Sequence, residues 1–586
     1  RVLGYIVGCL ESGRWHRSDG NDASSPNTTA FRDWLIAKYR EDAALQKSWG
    51  DEKVSFESVL VPETANIGVD CPVFSKGAES QRYAGYNSFA SQVTADTIIA
   101  FVRHIKQAGD SPSVFAAYGY SYEITSGSAG HFALSRLLET EIDGFISPVS
   151  YEDRGLGGAG GPMGPIHSVI SRGKQWLLID DTRTGVERDP ATGEIARPKN
   201  LRADDVYCVQ QRNFAAAMTQ GLGLIWSDPQ GEGWLHDREM WRNFAKFWSI
   251  YARNIEERGQ TAPTPAVPSE DNEALRHPRR EEEDMQLLAR SSGGPVLAVV
   301  VDEDSRFYGL CDTKINEILL NQGRDSAIRT GVATRFYLLR DVITGKVPFA
   351  DVYLFLNAFH LTVQDRELLH AVLEEKKAAA IWMYAPGYIA DEASVDNISA
   401  TTRIATKAFD ASEESGSVFL LPANWMNKGD EFGASVETEP LFYIDDPNTN
   451  VLANFSESGK PSLAMSFFEN SWTSVFCAEP GVTPAVLRQI LRLLEMHVHF
   501  QVTPTKFFDA SSFGPDLISV HAKETGERVI ELDHVCDVRD LLSPEIGWPR
   551  KRTVSISMKT GETRLLKLSP VAVDAVVAPE SQPLAQ

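Results

Sequence analysis

Cysteine is scarce in this chain of 586 residues, and its six copies (Cys9, Cys71, Cys208, Cys311, Cys477 and Cys536) stand far apart with no Cys-x-x-Cys pair. That spacing excludes a dense disulfide framework and a cysteine-rich zinc site, so no metal is expected. Long apolar runs are missing too. No stretch reaches the ~18–20 residues needed to span a bilayer, and no membrane partner is expected. Basic residues are outnumbered, 57 Lys and Arg against 80 Asp and Glu, and the formal charge of −23 excludes a general basic field for nucleic acid or anionic lipid. A neutral substrate suits such a surface. No Gly-x-Gly-x-x-Gly immediately follows a strand-like run in residues 1–258, and no phosphate-loop motif occurs, so nucleotide binding has no support and no cofactor is expected. The chain starts at Arg1 with neither Met nor a signal-like segment, which places the expected native start upstream and leaves the compartment unread.

What is present is ordinary globular material: 42% hydrophobic and 23% charged residues, in a length that predicts two to four domains. The most informative stretch is 173–184, where the apolar run Trp176 to Ile179 leads straight into Asp180 and Asp181. A run of that kind reads as a strand buried on both faces, delivering carboxylates to a rim. Catalytic groups sit at such strand ends in parallel α/β barrels. The same Asp-Asp-Thr triplet also caps strands and helices that carry no chemistry.

The surrounding chain repeats the alternation. Strands are expected at 2–8, 113–122, 142–149, 174–181 and 222–227, with helices at 30–39, 94–107, 130–138, 162–172, 204–220 and 238–258. Regular βα alternation predicts a parallel sheet with helices outside. Acids or aromatics close the strands at Glu11, Glu123, Tyr151, Asp180 and Trp226, which favours a (β/α)₈ barrel over a Rossmann sheet. Five strands do not complete such a barrel, so three further units are expected upstream of Arg1 or from a separate segment. Tyr118, Tyr120 and Tyr122 alternate along one expected strand, so only one face of that set points to a pocket. His131 and His167 read as structural, and the glycine run 155–161 reads as a flexible loop beside the cleft.

Residues 31–39, with Leu45 and Ser48-Trp49-Gly50, resemble the helix that follows the fourth barrel strand in family 42 glycoside hydrolases, the β-galactosidase-like enzymes. In that family the preceding strand ends in an Asn-Glu acid/base. Glu11 stands in that place here, with Leu10 for the asparagine. The stretch 176–181 matches the seventh strand, which carries the family's nucleophilic glutamate, and offers Asp180 or Asp181 instead. Residues 221–226 resemble the eighth strand, whose tryptophan lines the sugar subsite. The resemblance covers most of residues 1–258. It implies an oligo- or polysaccharide substrate, an exo-acting retaining mechanism on terminal β-linked sugars, no cofactor and a homotrimer.

The residue types fit that chemistry. Glycosidic cleavage needs one carboxylic acid to protonate the leaving oxygen and a second carboxylate to attack the anomeric carbon or activate water. Glu11 is the expected acid/base and Asp180 or Asp181 the nucleophile. Arg183 is expected beside the carboxylates, Glu123 on sugar hydroxyls, and Trp15, Tyr118, Tyr151, Trp226 and Trp234 as contacts for the apolar faces of sugar rings. The alternative class is a carbohydrate-binding or scaffolding relative without turnover, for which Leu10 and the aspartates speak.

Composition changes after residue 258. Residues 259–294 are rich in Pro and mixed charge and read as a linker. Strand-like 295–302 opens a second α/β unit over 295–503 that resembles the flavodoxin-like trimerisation domain of the same family. Residues 504–586 alternate in twos between turn signals and read as a small antiparallel β domain with a tail.

Overall fold

The computed structural model of the chain describes residues 4–8, 15, 21–63, 73–74, 77–109, 112–124, 126–183, 187–188, 195–196, 203–257, 295–309, 314–410, 416–420, 431–433, 438–500 and 507–571. The expected linker and Glu11 lie outside these residues. Mixed α/β architecture is observed, built on three main sheets. No helix among the described residues is long and apolar enough to cross a membrane.

The first sheet holds β1 (Gly4–Val7), β2 (Ser113–Ala116), β3 (Gly144–Pro148), β4 (Gln175–Asp180) and β5 (Gly223–Trp226), all parallel and in chain order. Among the described residues no further strand joins β1 to β5, so this is an open wall and not a closed barrel. Openness shows in β4. Trp176, Leu178 and Asp180 are buried, whereas Gln175, Leu177 and Ile179 are only half-buried. The run therefore packs tightly on one face alone, contrary to the expectation of burial on both.

Helices α1 (Ser25–Tyr39), α2 (Asp42–Trp49) and α3 (Gly77–Ala108) enclose an aromatic cluster of Phe31, Trp34, Tyr86 and Phe89. The 32 residues of α3 begin well before the expected start. Helices α4 (Leu134–Leu138) and α5 (Ile166–Ile170) are each a single short turn set, while α6 (Ala203–Gln220) and α7 (Arg238–Glu257) match the sequence pattern closely. Strand β2 stops at Ala116, well short of residue 122, because Gly119 turns the chain with φ +84°.

The second sheet is mixed. Strands β6 (Val296–Val301), β7 (Ala333–Leu338), β8 (Val352–Phe355), β9 (Ala379–Met383), β10 (Ser417–Phe419), β11 (Glu431–Phe432), β12 (Asn450–Phe455), β13 (Pro461–Phe467) and β14 (Thr473–Cys477) lie in the order β11-β10-β12-β13-β14-β9-β8-β6-β7. The half from β14 to β7 is parallel and the other half antiparallel. The third sheet is wholly antiparallel: β15 (Ala510–Phe513), β16 (Leu517–His521), β17 (Gly526–Asp540), β18 (Gly547–Met558) and β19 (Thr563–Pro570), in the order β15-β16-β19-β17-β18.

One hydrophobic core runs without a break from β2, β3 and β4 into β6 to β9. Polar groups complete the joint. Strand β7 is the edge of its sheet, and its Phe336 and Leu338 amides donate to His167 Nδ1 (3.0 Å) and Ser168 Oγ (2.8 Å) on α5. Side chains of one sheet's helix thus satisfy the open edge of another. Glu303, just after β6, accepts from the Leu134 and Ser135 amides at 2.9 and 3.3 Å and so caps α4 across the same joint.

That cap is a buried acid with a pH consequence. Burial raises the Glu303 carboxyl from 4.5 to about 8, against the opposing effect of the two amides, and raises neighbouring Asp302 to about 7. A raised acid binds its proton more tightly folded than unfolded, so its stabilisation is complete below the unfolded value and is lost as pH climbs through the folded one. Between pH 5 and 8 the wild type is expected to lose stability relative to Glu303→Gln, on the order of a few kcal/mol. Urea midpoints across that range give the check; parallel profiles for the two proteins would rule the linkage out.

Candidate active site

Parallel strands in one sheet end at one rim, and the polar side chains of this half of the molecule gather there. Asp180 and Asp181 at the end of β4 point opposite ways because side chains alternate along an extended chain. Asp180, 3% exposed, shares the face of Trp176 and Leu178, accepts from the Thr182 amide (3.2 Å), and sits beside Arg212 of α6. Its Oδ2 has no hydrogen-bond partner. Asp181 follows Ile179 toward the half-open face. Tyr151 donates its phenol proton to Asp181 Oδ2 at 2.9 Å, and Arg154 donates to Oδ1 at 2.6 Å. Burial and the Asp181 charge both raise the Tyr151 phenol, so it stays a donor at neutral pH.

Behind Tyr151 stands Glu123. Its Oε1 accepts from the Tyr151 amide (2.8 Å) and its Oε2 from Ser150 Oγ (2.7 Å). Arg324, from the turn α8 (Gly323–Ile328) of the second unit, closes the network with Nη2 on Ser150 Oγ (3.0 Å), Nε on Asp325 (2.8 Å) and Nη1 on the Pro162 carbonyl (3.1 Å). The line Arg324, Glu123 and Ser150, Tyr151, Asp181 therefore connects a fully buried cation to a carboxylate at the rim.

Other expected site residues are distributed differently. Trp15 reaches the rim at β2, donating its indole N–H to the Ala117 carbonyl at 2.8 Å. Arg183 lies 5.2 Å over the Trp234 ring, tying the loops after β4 and β5, but that ring is 5% exposed. Tyr118 is fully buried, stacked on His131 with Tyr120 on the other contact, and offers no face to a sugar. Trp226 stacks on Phe244 of α7 at 3.8 Å and belongs to the helix layer. Tyr118 lies past the end of β2 and Trp226 faces α7, so both side chains pack. Tyr151 is the aromatic left open, 51% exposed beside Asp181.

The glycine run departs from its reading as a flexible loop. Gly157 donates to His521 Nε2 at 3.0 Å, the Gly155 and Gly158 carbonyls accept from Arg212, and a Cβ on Gly160 or Gly161 would stand 2.5 Å from Arg212 or Arg324. It is a packed seat for two arginines. The cavity lined by Gly160, Arg212, Phe336, Ser511 and His521, ≈ 30 Å³, has room for one or two waters and is too small for a sugar ring. Arg154 escaped the sequence reading altogether: Tyr-x-x-Arg in a turn carries no signal until the turn folds its guanidinium onto Asp181.

No family model matches the sequence, and no curated protein is similar to it in sequence. Solved structures are similar in fold. A β-galactosidase from Bacillus circulans sp. alkalophilus superposes with TM-score 0.61 at 13% identity over 93% of this chain and 77% of that one. A polyextremophilic β-galactosidase from the Antarctic haloarchaeon Halorubrum lacusprofundi gives 0.58 at 12% over 97% and 79%. A family 42 exo-carrageenase from Bacteroides ovatus gives 0.50 at 10% over 97% and 66%.

Arg324→Met tests the network's foundation. Removing a buried cation leaves Asp325 and Ser150 without their donor, and a loss of about 3–5 kcal/mol in unfolding free energy is expected. A loss under about 1 kcal/mol would show the rim network is not anchored through this residue.

Proposed function

On a fold shared with family 42 β-galactosidases, we propose that this chain is an exo-acting glycoside hydrolase that cleaves terminal β-linked sugars with retention, using Glu11 as acid/base and Asp181 as nucleophile. The observation that carries this reading is the presentation of Asp181 at the end of β4, its two oxygens each held by one donor, Tyr151 and Arg154. A carboxylate accepts about four hydrogen bonds, so lone pairs remain for attack. Glu11 follows β1, three strands away in the sheet. At about 4.8 Å per strand that is roughly 14 Å along the sheet. The reading requires the two side chains to close that span to the ~5–5.5 Å of retaining enzymes.

In the first step Glu11 gives its proton to the glycosidic oxygen as the Asp181 carboxylate bonds to the anomeric carbon and the leaving alcohol departs. In the second, Glu11 takes a proton from water, whose oxygen attacks that carbon and releases Asp181. Tyr151 orients the nucleophile and offers an aromatic face to the ring, Arg154 fixes the second oxygen, and Glu123 positions Tyr151 by its amide. Asp180 is assigned to the Arg212 side of the strand. The barrel wall, the second unit's assembly role and a homotrimer belong to the same reading.

A second reading has one observation in its favour. Asp181 is already paired with Arg154 at 2.6 Å, with side chains only 10% and 20% exposed, as in a structural ion pair. A sugar-binding relative without turnover would look the same. Aryl β-glycosides assayed with wild type, Glu11→Gln, Asp181→Asn and Asp180→Asn separate the two. The hydrolase requires losses on the order of 10²–10⁴-fold for the first two variants and near-normal turnover for the third; identical traces from all four proteins with sugar still bound establish the binding relative. Tyr151→Phe removes one donor to a charged group and is expected to lower kcat about 10- to 100-fold with stability little changed, read from kcat and a urea midpoint together.

A further inference from the structure

Where the second unit passes into the third sheet, residues 497–500 run beside β17. The Glu531 amide donates to the His499 carbonyl (2.7 Å), the His499 amide to the Gly331 carbonyl (3.0 Å), and Phe500 bridges Ile530 in antiparallel fashion. His497 and His499, two residues apart, each bring a ring nitrogen to the Glu531 carbonyl. Across from them stands Asp533. One donor atom from each of the three lies within 4.8 Å of the others. His497 Nε2 is 3.3 Å from Asp533 Oδ1, and the two rings meet edge-on with centroids 4.7 Å apart.

We propose that His497, His499 and Asp533 form a binding site for one divalent transition ion of the zinc class. Two imidazoles and a carboxylate are the borderline donor set such ions take. Ligands ~2.0–2.1 Å from a tetrahedral ion stand about 3.3 Å apart, the distance already found between His497 and Asp533. Hydrogen bonding alone gives a partial account: the Glu531 carbonyl lies 3.2 Å from His497 Nε2 and 3.1 Å from His499 Nδ1. It leaves Asp533 Oδ2, closed to solvent, with no donor. An ion supplies that missing partner, and the Glu531 carbonyl or a water completes the shell. The frame is rigid on one side, where His499 is 3% exposed and stacks on Phe513 at 4.6 Å. Bound there, the ion ties the segment leaving the second unit to β17 of the third sheet. The site is independent of the hydrolase reading.

The test is a zinc titration of chelator-stripped full-length protein against a chromophoric competitor. One equivalent per chain is expected. Asp533→Asn, which keeps the shape, and His497→Ala, at a partly exposed position, are each expected to weaken zinc by more than about tenfold; His534→Ala, an exposed neighbour outside the cluster, leaves it unchanged. Zinc is expected to raise the thermal midpoint of wild type but not of the two ligand variants. Absence of stoichiometric uptake, or uptake that both ligand variants retain in full, overturns the proposal and leaves a histidine pair on a carbonyl.

Discussion

A single buried cation governs how the two larger units of this protein share a rim. Arg324 is fully buried, and a guanidinium in that position survives only if its donors are matched. Asp325 meets it from its own turn, while Ser150 and the Pro162 carbonyl meet it from the first unit. The loop after β3 cannot move without breaking those contacts. Through Ser150 and Glu123 the constraint reaches Tyr151, and through Tyr151 it reaches Asp181. The geometry of the candidate nucleophile is therefore set partly by a residue 143 positions further along the chain.

The same logic recurs along the joint. His167 is a buried neutral imidazole, its basicity suppressed by burial and by Arg335, and it accepts an amide proton from the edge of the second sheet. Glu303 does the reverse, sending a carboxyl from the second unit to cap a helix of the first. Arg528 and Asp509, 1% and 2% exposed, pair inside the third sheet's own surroundings. Glu139 is lowered to about 2 by hydrogen bonds from Lys346, across the joint, and from Arg172 of its own unit. Apolar burial supplies the bulk of the stability, and these polar pairs specify which surfaces meet. The glycines at 157–161 allow it by letting guanidinium groups approach bare backbone.

The strand beneath the candidate site was legible from local pattern. The run 176–181 reads as a strand ending in acids, and it is one; Trp176 and Leu178 pack where hydrophobicity sends them. What pattern could not give was the phase of the half-turn after Ile179. Alternation fixes that Asp180 and Asp181 diverge, but not which one faces helices, because that depends on where α6 and its Arg212 lie. Tyr118 misled for a related reason: alternate tyrosines look like a strand until Gly119 turns the backbone. The pair His497 and His499 with Asp533 was invisible for a third reason. Metal donors separated by 34 residues carry no spacing signal when β pairing, not a short motif, brings them together.

By itself the sequence determined the period of its elements: parallel strands alternating with helices in the first unit, a second α/β unit, and two-residue alternation toward the C-terminus. Those are local properties, set by which side chains can be buried at a spacing of 2 or 3.6 residues. Only the tertiary structure decided that Arg154 meets Asp181 and that Trp226 turns to the helix layer. Those outcomes depend on distant surfaces competing for the same face, and no stretch of sequence contains both competitors.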